Sequence, residues 1–310
     1  MKEPVATTRA RFTERILRID GRPFSFKDYE FFRPIYDNAG KPTVIMSGRQ
    51  VAKSTACANI MLSETGIIPH FKILYSTPSK TQTSRFSTTR VGKIMNYSPE
   101  YRRAFVSNQL SQSILLRIMK NGSEIHMSYA ADDADRLRGI SADHVFLDEV
   151  QGILYEAVVP VVVECLSASN YNYIMYAGTP LTLENTLASL WNRSTKHHWV
   201  MRCEGCGKLN WIEDERSIGL KGPICTKCGK VLNVRPNFDT DPRKRSGFWV
   251  PENPDSPLLG YHIPQPILPH HAERKWSVLL DKMPGGILNY SQTKFRNEVL
   301  GIQTPLEHVS

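Results

Sequence analysis

One stretch constrains the fold more than any other: the apolar run Thr43-Val-Ile-Met46, the turn Ser47-Gly-Arg-Gln-Val-Ala52 and the segment that opens with Lys53-Ser54-Thr55. A short apolar run enters a polar, glycine-containing loop and a helical pattern follows over 53–65, so the order is strand, loop, helix. The same texture recurs. Lys72-Ile-Leu-Tyr75 is a second strand, closed by Ser76-Thr-Pro78, and 85–97 is helix-like. The runs 114–119 and 124–129 flank Asn121-Gly122, the strongest short hairpin signal. Residues 144–147 and 173–176 are two further apolar strands, each ending in a polar motif. Strands alternating with helices predict an α/β sheet with connections on both faces.

The loop after the first strand matches the phosphate-loop pattern GxxxxGK[ST] at Lys53 and Ser54, with Ser47 and Ala52 in the two glycine positions. Phosphate binding needs backbone N–H groups at a helix N-terminus, a lysine for the β/γ oxygens and a hydroxyl on Mg²⁺. The loop Ser47, Gly48, Arg49, Gln50, Val51, Ala52, Lys53, Ser54, Thr55 has all three, although a Ser-Gly turn capping an ordinary helix would read alike. Val145-Phe-Leu-Asp148-Glu149, about 95 residues later, shifts the balance. An apolar strand that ends in two acids can deliver Asp148 to a Mg²⁺ shell and Glu149 to the attacking water. Carboxylates at the tip of a buried strand would otherwise lose solvation without a partner. The two motifs predict a nucleoside triphosphatase, an α/β fold of the P-loop NTPase (ASCE) type with a mainly parallel sheet flanked by helices.

Cys203-Glu-Gly-Cys206 and Cys225-Thr-Lys-Cys228 stand 18 residues apart, and Gly-Lys follows each pair. Two such turns present four thiolates tetrahedrally to Zn²⁺, and glycine tolerates the positive φ that closes each turn. Four cysteine ligands leave no open position, so the zinc is expected to be structural, in a ribbon over 201–232. A disulfide pair would stay reduced in a cytoplasm. Cys57 and Cys165 stand alone and read as small buried residues. Domains are expected over 1–200 (ATPase core), 201–232 (zinc-ribbon insertion) and 233–310, a Pro-rich, irregular C-terminal lid or linker subdomain.

Net charge is +9, and 71–120 carries nine basic residues against Glu100 alone. Such a stretch suits a polyanion such as nucleic acid, or is a solvated helical face with its acids elsewhere in the fold. The longest nearly apolar run, 157–166, contains Pro160 and Glu164 and falls short of the ~20 residues of a membrane span. The start of the chain (Lys2, Glu3, Arg9, Arg11) has no apolar signal segment. No membrane association and a cytoplasmic location are expected.

Ser47-Gly-Arg-Gln-Val-Ala-Lys-Ser-Thr55, Leu137-Arg138-Gly139, Val145-Phe-Leu-Asp-Glu149 and Tyr176-Ala-Gly-Thr179-Pro180 together resemble, in order and spacing, the ATPase domain of large terminase subunits of tailed bacteriophages. Lys294-Phe-Arg-Asn-Glu298-Val-Leu-Gly301 is similar to that family's end-of-ATPase segment. The resemblance implies an ATP-driven motor that moves double-stranded DNA into a procapsid in the host cytoplasm. Its partners would be the portal protein, the small terminase subunit and further copies of itself in a ring. It implies Glu149 as the catalytic carboxylate, Ser54 and Asp148 on Mg²⁺, and Thr179 in a motif that senses the γ-phosphate. Arg49 would be a loop arginine on phosphate, with an exposed contact to a surface acid as the alternative. Arg138 would be an arginine finger for a neighbouring subunit, with a surface salt bridge to Asp133 or Asp135 as the alternative. Adenine would sit near 24–36, with Arg33 and Tyr36 as candidates, although those aromatics suit a core equally. The family's nuclease would begin about where this chain stops, and the acids after Pro251 (Glu252, Asp255, Glu273, Asp281, Glu298, Glu307) are too scattered for nuclease activity. A helicase-like ATPase, or a zinc-ribbon DNA-binding module with a vestigial phosphate loop, are the other readings.

Overall fold

The computed structural model describes residues 7–181 and 184–305. Lys2, Glu3 and Glu307 lie outside them. The chain divides into two compact units, one built of Met1–Phe26, Phe32–Pro42 and Ala52–Tyr176, the other of Lys27–Phe31, Thr43–Val51 and Ala177–Ser310.

In the first unit the sheet order is residues 173–176 of the strand Tyr173–Gly178, then His144–Asp148, Lys72–Thr77, Glu124–Tyr129, Leu116–Ile118. Lys72–Thr77 runs parallel to both neighbours, with Leu74 opposite Val145 on one side and His126 on the other. Leu116–Ile118 pairs antiparallel with Glu124–Tyr129 as the first arm of the expected Asn121-Gly122 hairpin. Every residue of His144–Asp148 is buried, which is why that strand reads as an unbroken apolar run rather than an alternation. The helix Lys53–Ile67 is buried from Ala56 to Thr65. Its small residues admit close neighbours: a Cβ on Gly66 would fall within the Phe12 ring of the helix Arg9–Ile16. Glu64, fully buried on this helix, accepts from Arg9 Nε at 2.7 Å and bonds His144 Nδ1 at 2.8 Å, so its charge is paired rather than stranded. Cys57 and Cys165 are buried and free, as expected.

In the second unit the order is Leu209–Asn210, His197–Arg202, Leu259–Ile263, Thr43–Ser47, and Phe248–Pro251 pairs antiparallel with His197–Arg202. Leu259–Ile263 lies parallel to Thr43–Ser47 in register from Leu259 opposite Thr43 to Ile263 opposite Ser47. The Pro-rich C-terminal region contributes two of these strands, Phe248–Pro251 and Leu259–Ile263. Its prolines bracket strands, and one of those strands forms a wall of the phosphate-loop strand. Among the described residues no helix is long and apolar enough to cross a membrane.

Candidate active site and metal centre

The phosphate loop is shaped by its own backbone and by a distant segment. Ser47 is buried as the last residue of its strand, and Gly48 N donates to Ile263 O at 3.0 Å. A Cβ on Gly48 would lie 2.8 Å from Val299 O and 2.9 Å from Glu298 O, so only glycine fits there. Arg49 N donates to Glu298 O at 2.6 Å, and Arg49 O accepts from Gln265 Nε2 at 2.7 Å. The Arg49 side chain is 66% exposed, with Nε 3.6 Å from Glu298 Oε1. Gln50 adopts φ +56° and Val51 is buried. Ala52 adopts φ +67°, ψ +16° immediately before the helix. That left-handed conformation is the reason the general pattern has glycine at this position; alanine occupies it at a cost of about 1–2 kcal/mol.

Lys53 opens the helix and bridges two acids: Nζ is 3.0 Å from Asp148 Oδ1 and 3.0 Å from Glu149 Oε1. Its side chain is 8% exposed and that of Asp148 5%. Burial by itself would lower the Lys53 pKa, but the two carboxylates outweigh it and hold the ammonium above its ordinary value. Asp148 Oδ1 accepts the Glu149 amide at 2.9 Å and Oδ2 accepts the Tyr75 hydroxyl at 3.0 Å. Glu149 turns out of the strand at φ +57°, and its Oε2 accepts Gln151 Nε2 at 2.6 Å. Ser54, Tyr75, Asp148 and Glu149 line one cavity of 280 Å³. A fixed cation, a hydroxyl and two carboxylates around a polar cavity can bind a phosphate, hold a divalent cation and draw a proton from water.

Arg138 is 65% exposed, and its Nε bonds Asp135 Oδ1 at 3.0 Å in a surface pair; Gly139 turns beside it at φ +81°. Thr179 is buried just past the strand Tyr173–Gly178. Arg33 Nη2 pairs with Glu14 at 2.7 Å and lies over the Phe26 ring. Tyr36 is corrected to a core residue: it is 1% exposed, stacked on Phe24, edge-on to Phe26, and its hydroxyl accepts from Asn59 Nδ2 at 3.1 Å. A ring enclosed this way has no face for adenine. Sequence reasoning missed Tyr75, Gln151 and the Glu298 backbone. Tyr75 reaches Asp148 from the neighbouring strand, where it lies opposite Phe146, a relation no local motif encodes.

The four cysteines converge in the second unit. All four Sγ atoms lie within 4.8 Å of one another, with Cys203–Cys228 at 3.5 Å and Cys206–Cys225 at 3.6 Å. These separations are too long for a disulfide at ~2.05 Å and near the ~3.8 Å edge of a tetrahedron with ~2.3 Å metal–sulfur bonds. The two turns share one bonding scheme. Cys203 N donates to Lys208 O and Gly207 N to Cys203 O, while Cys225 N donates to Lys230 O and Gly229 N to Cys225 O. Gly207 and Gly229 take φ +74° and +75°, as their positions after each pair require.

The family model for the phage terminase large subunit gpA, ATPase domain, matches residues 28–237, a range that includes the phosphate loop, Asp148-Glu149 and all four cysteines. Among solved structures, the large terminase ATPase domain of Thermus phage P74-26 is 20% identical with TM-score 0.54, over 92% of this chain and 95% of that one. The large terminase of a thermophilic bacteriophage, in complex with ADP, is 10% identical with TM-score 0.52, over 90% of this chain and 53% of that one. The HK97 bacteriophage large terminase is 19% identical with TM-score 0.49, over 59% of this chain and 40% of that one. The chain thus spans about half, or less, of the last two large terminases. No curated protein sequence matches. The two solved structures with the higher scores share the fold, and with the family model matching more than half of its length, the chain belongs to the family of phage terminase large subunit ATPase domains.

Proposed function

We propose that this chain hydrolyses ATP with Mg²⁺ and that the hydrolysis drives double-stranded DNA into a procapsid, as the motor domain of a large terminase acting in the host cytoplasm. The observation that carries the reading is the bridge from Lys53 to Asp148 and Glu149, which joins the phosphate lysine to the two acids the chemistry needs. Phosphate oxygens would compete with the carboxylates for Lys53 and so release Asp148 toward a metal and Glu149 toward water. Ser54 and Asp148 would hold Mg²⁺, which supplies charge neutralisation on the phosphates. Glu149, tethered by Gln151, would accept the proton of the attacking water. Ser47 to Thr55 would cradle the phosphates, with Arg49 and Thr179 near them and Arg33 as the remaining adenine candidate. Arg138, exposed beside Gly139, would act on nucleotide bound to a neighbouring copy in a ring; its Asp135 pair is weak enough to exchange.

The four cysteines would hold one structural Zn²⁺; backbone donation from Gly205 N to Cys203 Sγ favours the thiolate form a metal requires. Portal protein and small terminase subunit would be the protein partners, and exposed basic residues of the stretch 71–120, such as Lys80, Lys93, Arg102 and Arg103, would track DNA phosphates in a salt-sensitive, sequence-independent manner. The test separates binding from chemistry. Lys53→Ala should lose tight ATP binding, whereas Glu149→Ala should bind ATP and lose turnover. Equal loss of binding in both, or normal hydrolysis by Glu149→Ala, would overturn the assignment. Strand displacement by the wild type would favour a helicase, and absence of any ATP turnover would favour a zinc-ribbon binding module.

A further inference from the structure

The helical run that begins at Lys80 brings two more cations to the cavity beside Glu149. It starts as α-helix over Lys80–Phe86, widens to π-helix over Ser87–Gly92 and resumes as α-helix over Lys93–Tyr97. Insertions of this kind re-aim side chains and are concentrated at functional sites. Here the wide turn is held in place by a buried arginine. Arg117, from the strand Leu116–Ile118, donates from Nη2 to Ser87 O and to Ser87 Oγ, each at 3.1 Å. Gly92 admits that contact, because a Cβ there would lie 3.2 Å from Ser87 O and 3.3 Å from Arg117 Nη2.

Arg85 and Arg90 project from this run and line the same 280 Å³ cavity as Ser54, Asp148 and Glu149. Both are exposed, and among the described residues neither guanidinium has an ion pair or a hydrogen bond. Among the described residues neither guanidinium comes within ion-pair distance of Asp148 or Glu149, the two acids that Lys53 bridges. Two unpaired guanidinium groups on one small polar cavity repel each other until an anion lies between them, and their planar donors suit phosphoryl oxygens. We propose that Arg85 and Arg90 contact the terminal phosphate of the nucleotide held at Lys53 and Ser54, and thereby make the site prefer a triphosphate to a diphosphate. The proposal rests on the nucleotide reading above and adds the source of its γ-phosphate selectivity.

The test is equilibrium binding of ATPγS and of ADP, each with Mg²⁺, to the full chain and to Arg85→Ala, Arg90→Ala and the two Arg→Lys variants. Each alanine variant should weaken ATPγS by ~10- to 100-fold, the worth of a charge-assisted hydrogen bond, and leave ADP within about twofold. Lysine should restore part of the loss, since it keeps the charge but not the fork. Circular dichroism checks the fold of each variant, and Arg→Gln replaces any alanine variant that does not fold. Equal weakening of both nucleotides, no weakening of either, or a loss confined to binding of a DNA duplex would overturn the proposal. If the wild type bound neither nucleotide, or Lys53→Ala bound both normally, the underlying nucleotide reading would fail instead.

Discussion

Tyr75 tests how a buried carboxylate at the strand tip is kept in place. Its hydroxyl donates to Asp148 Oδ2 at 3.0 Å, and its ring stacks on Phe86 with centroids 3.8 Å apart. Tyr75→Phe deletes one hydroxyl and keeps the stack. Asp148 is almost fully buried, so water cannot readily replace the donor, and the loss should be that of a hydrogen bond to a charged group, about 1.5–3 kcal/mol. At about 2–4 °C per kcal/mol for a unit of this size, the melting temperature should fall by about 3–12 °C. The pH dependence gives a second readout. Burial, reinforced by the Asp148 charge, holds the Tyr75 hydroxyl well above its ordinary range. Because the folded value is the higher one, the stability Tyr75 confers is fully present below the unfolded pKa of about 10 and declines as pH rises from there toward the folded value. Phenylalanine has no such decline. Urea unfolding of both proteins should therefore give a gap that is flat from about pH 6 to 9 and narrows above about pH 10. A gap below ~0.5 kcal/mol, or one that narrows already below pH 9, would refute the argument.

Three further outcomes are expected. Gly48→Ala should destabilise the second unit by about 1–3 kcal/mol, because its Cβ meets two backbone carbonyls that cannot rotate away; unchanged urea stability would show that the segment Arg296–Leu300 yields instead. Freshly purified protein should carry one zinc per chain by elemental analysis, and Cys225→Ser should lose it and open 201–232 to proteolysis while nucleotide binding persists; less than half an equivalent in the wild type would sink the metal assignment. Arg138→Ala and Glu149→Ala should each be inactive alone yet recover part of the ATPase activity when mixed, since an intact site can then sit beside an intact finger; wild-type turnover independent of protein concentration would return Arg138 to its surface pair with Asp135.

Local chemistry explains what was legible in the sequence. The strands around Thr43, Lys72, His144 and Tyr173 were readable because burial on both faces demands continuous apolar runs. The paired cysteine turns were readable because two sulfurs and a glycine of positive φ repeat at one spacing. The meeting of Lys53 with Asp148 and Glu149 was readable because a lysine opening a helix after a small-residue loop and acids at a strand tip are residues that find solvation in each other. Tyr36 misled because an aromatic in a core and an aromatic under a base look the same in one dimension. Tyr75 left no signal, and Arg85 and Arg90 showed only as members of the basic stretch over 71–120, since their places on the cavity arise from strand order and from a π-helical turn held by Arg117, some thirty residues further along the chain. The C-terminal strand Leu259–Ile263 was hidden among prolines that mark its ends rather than its absence.

That strand has a consequence for synthesis. The edge of Thr43–Ser47 that pairs with Leu259–Ile263 waits for more than two hundred later residues. At about 5–20 residues per second this is an interval of ~10–40 s on the ribosome. Throughout it, an all-buried strand presents unpaired amides and carbonyls along that side, with the future phosphate loop at its end, a form prone to pairing with other chains. The strand Thr43–Ser47 is therefore among the last parts of the second unit to gain this partner, and a host chaperone that covers its edge should raise the yield of folded protein more than one acting on the released chain.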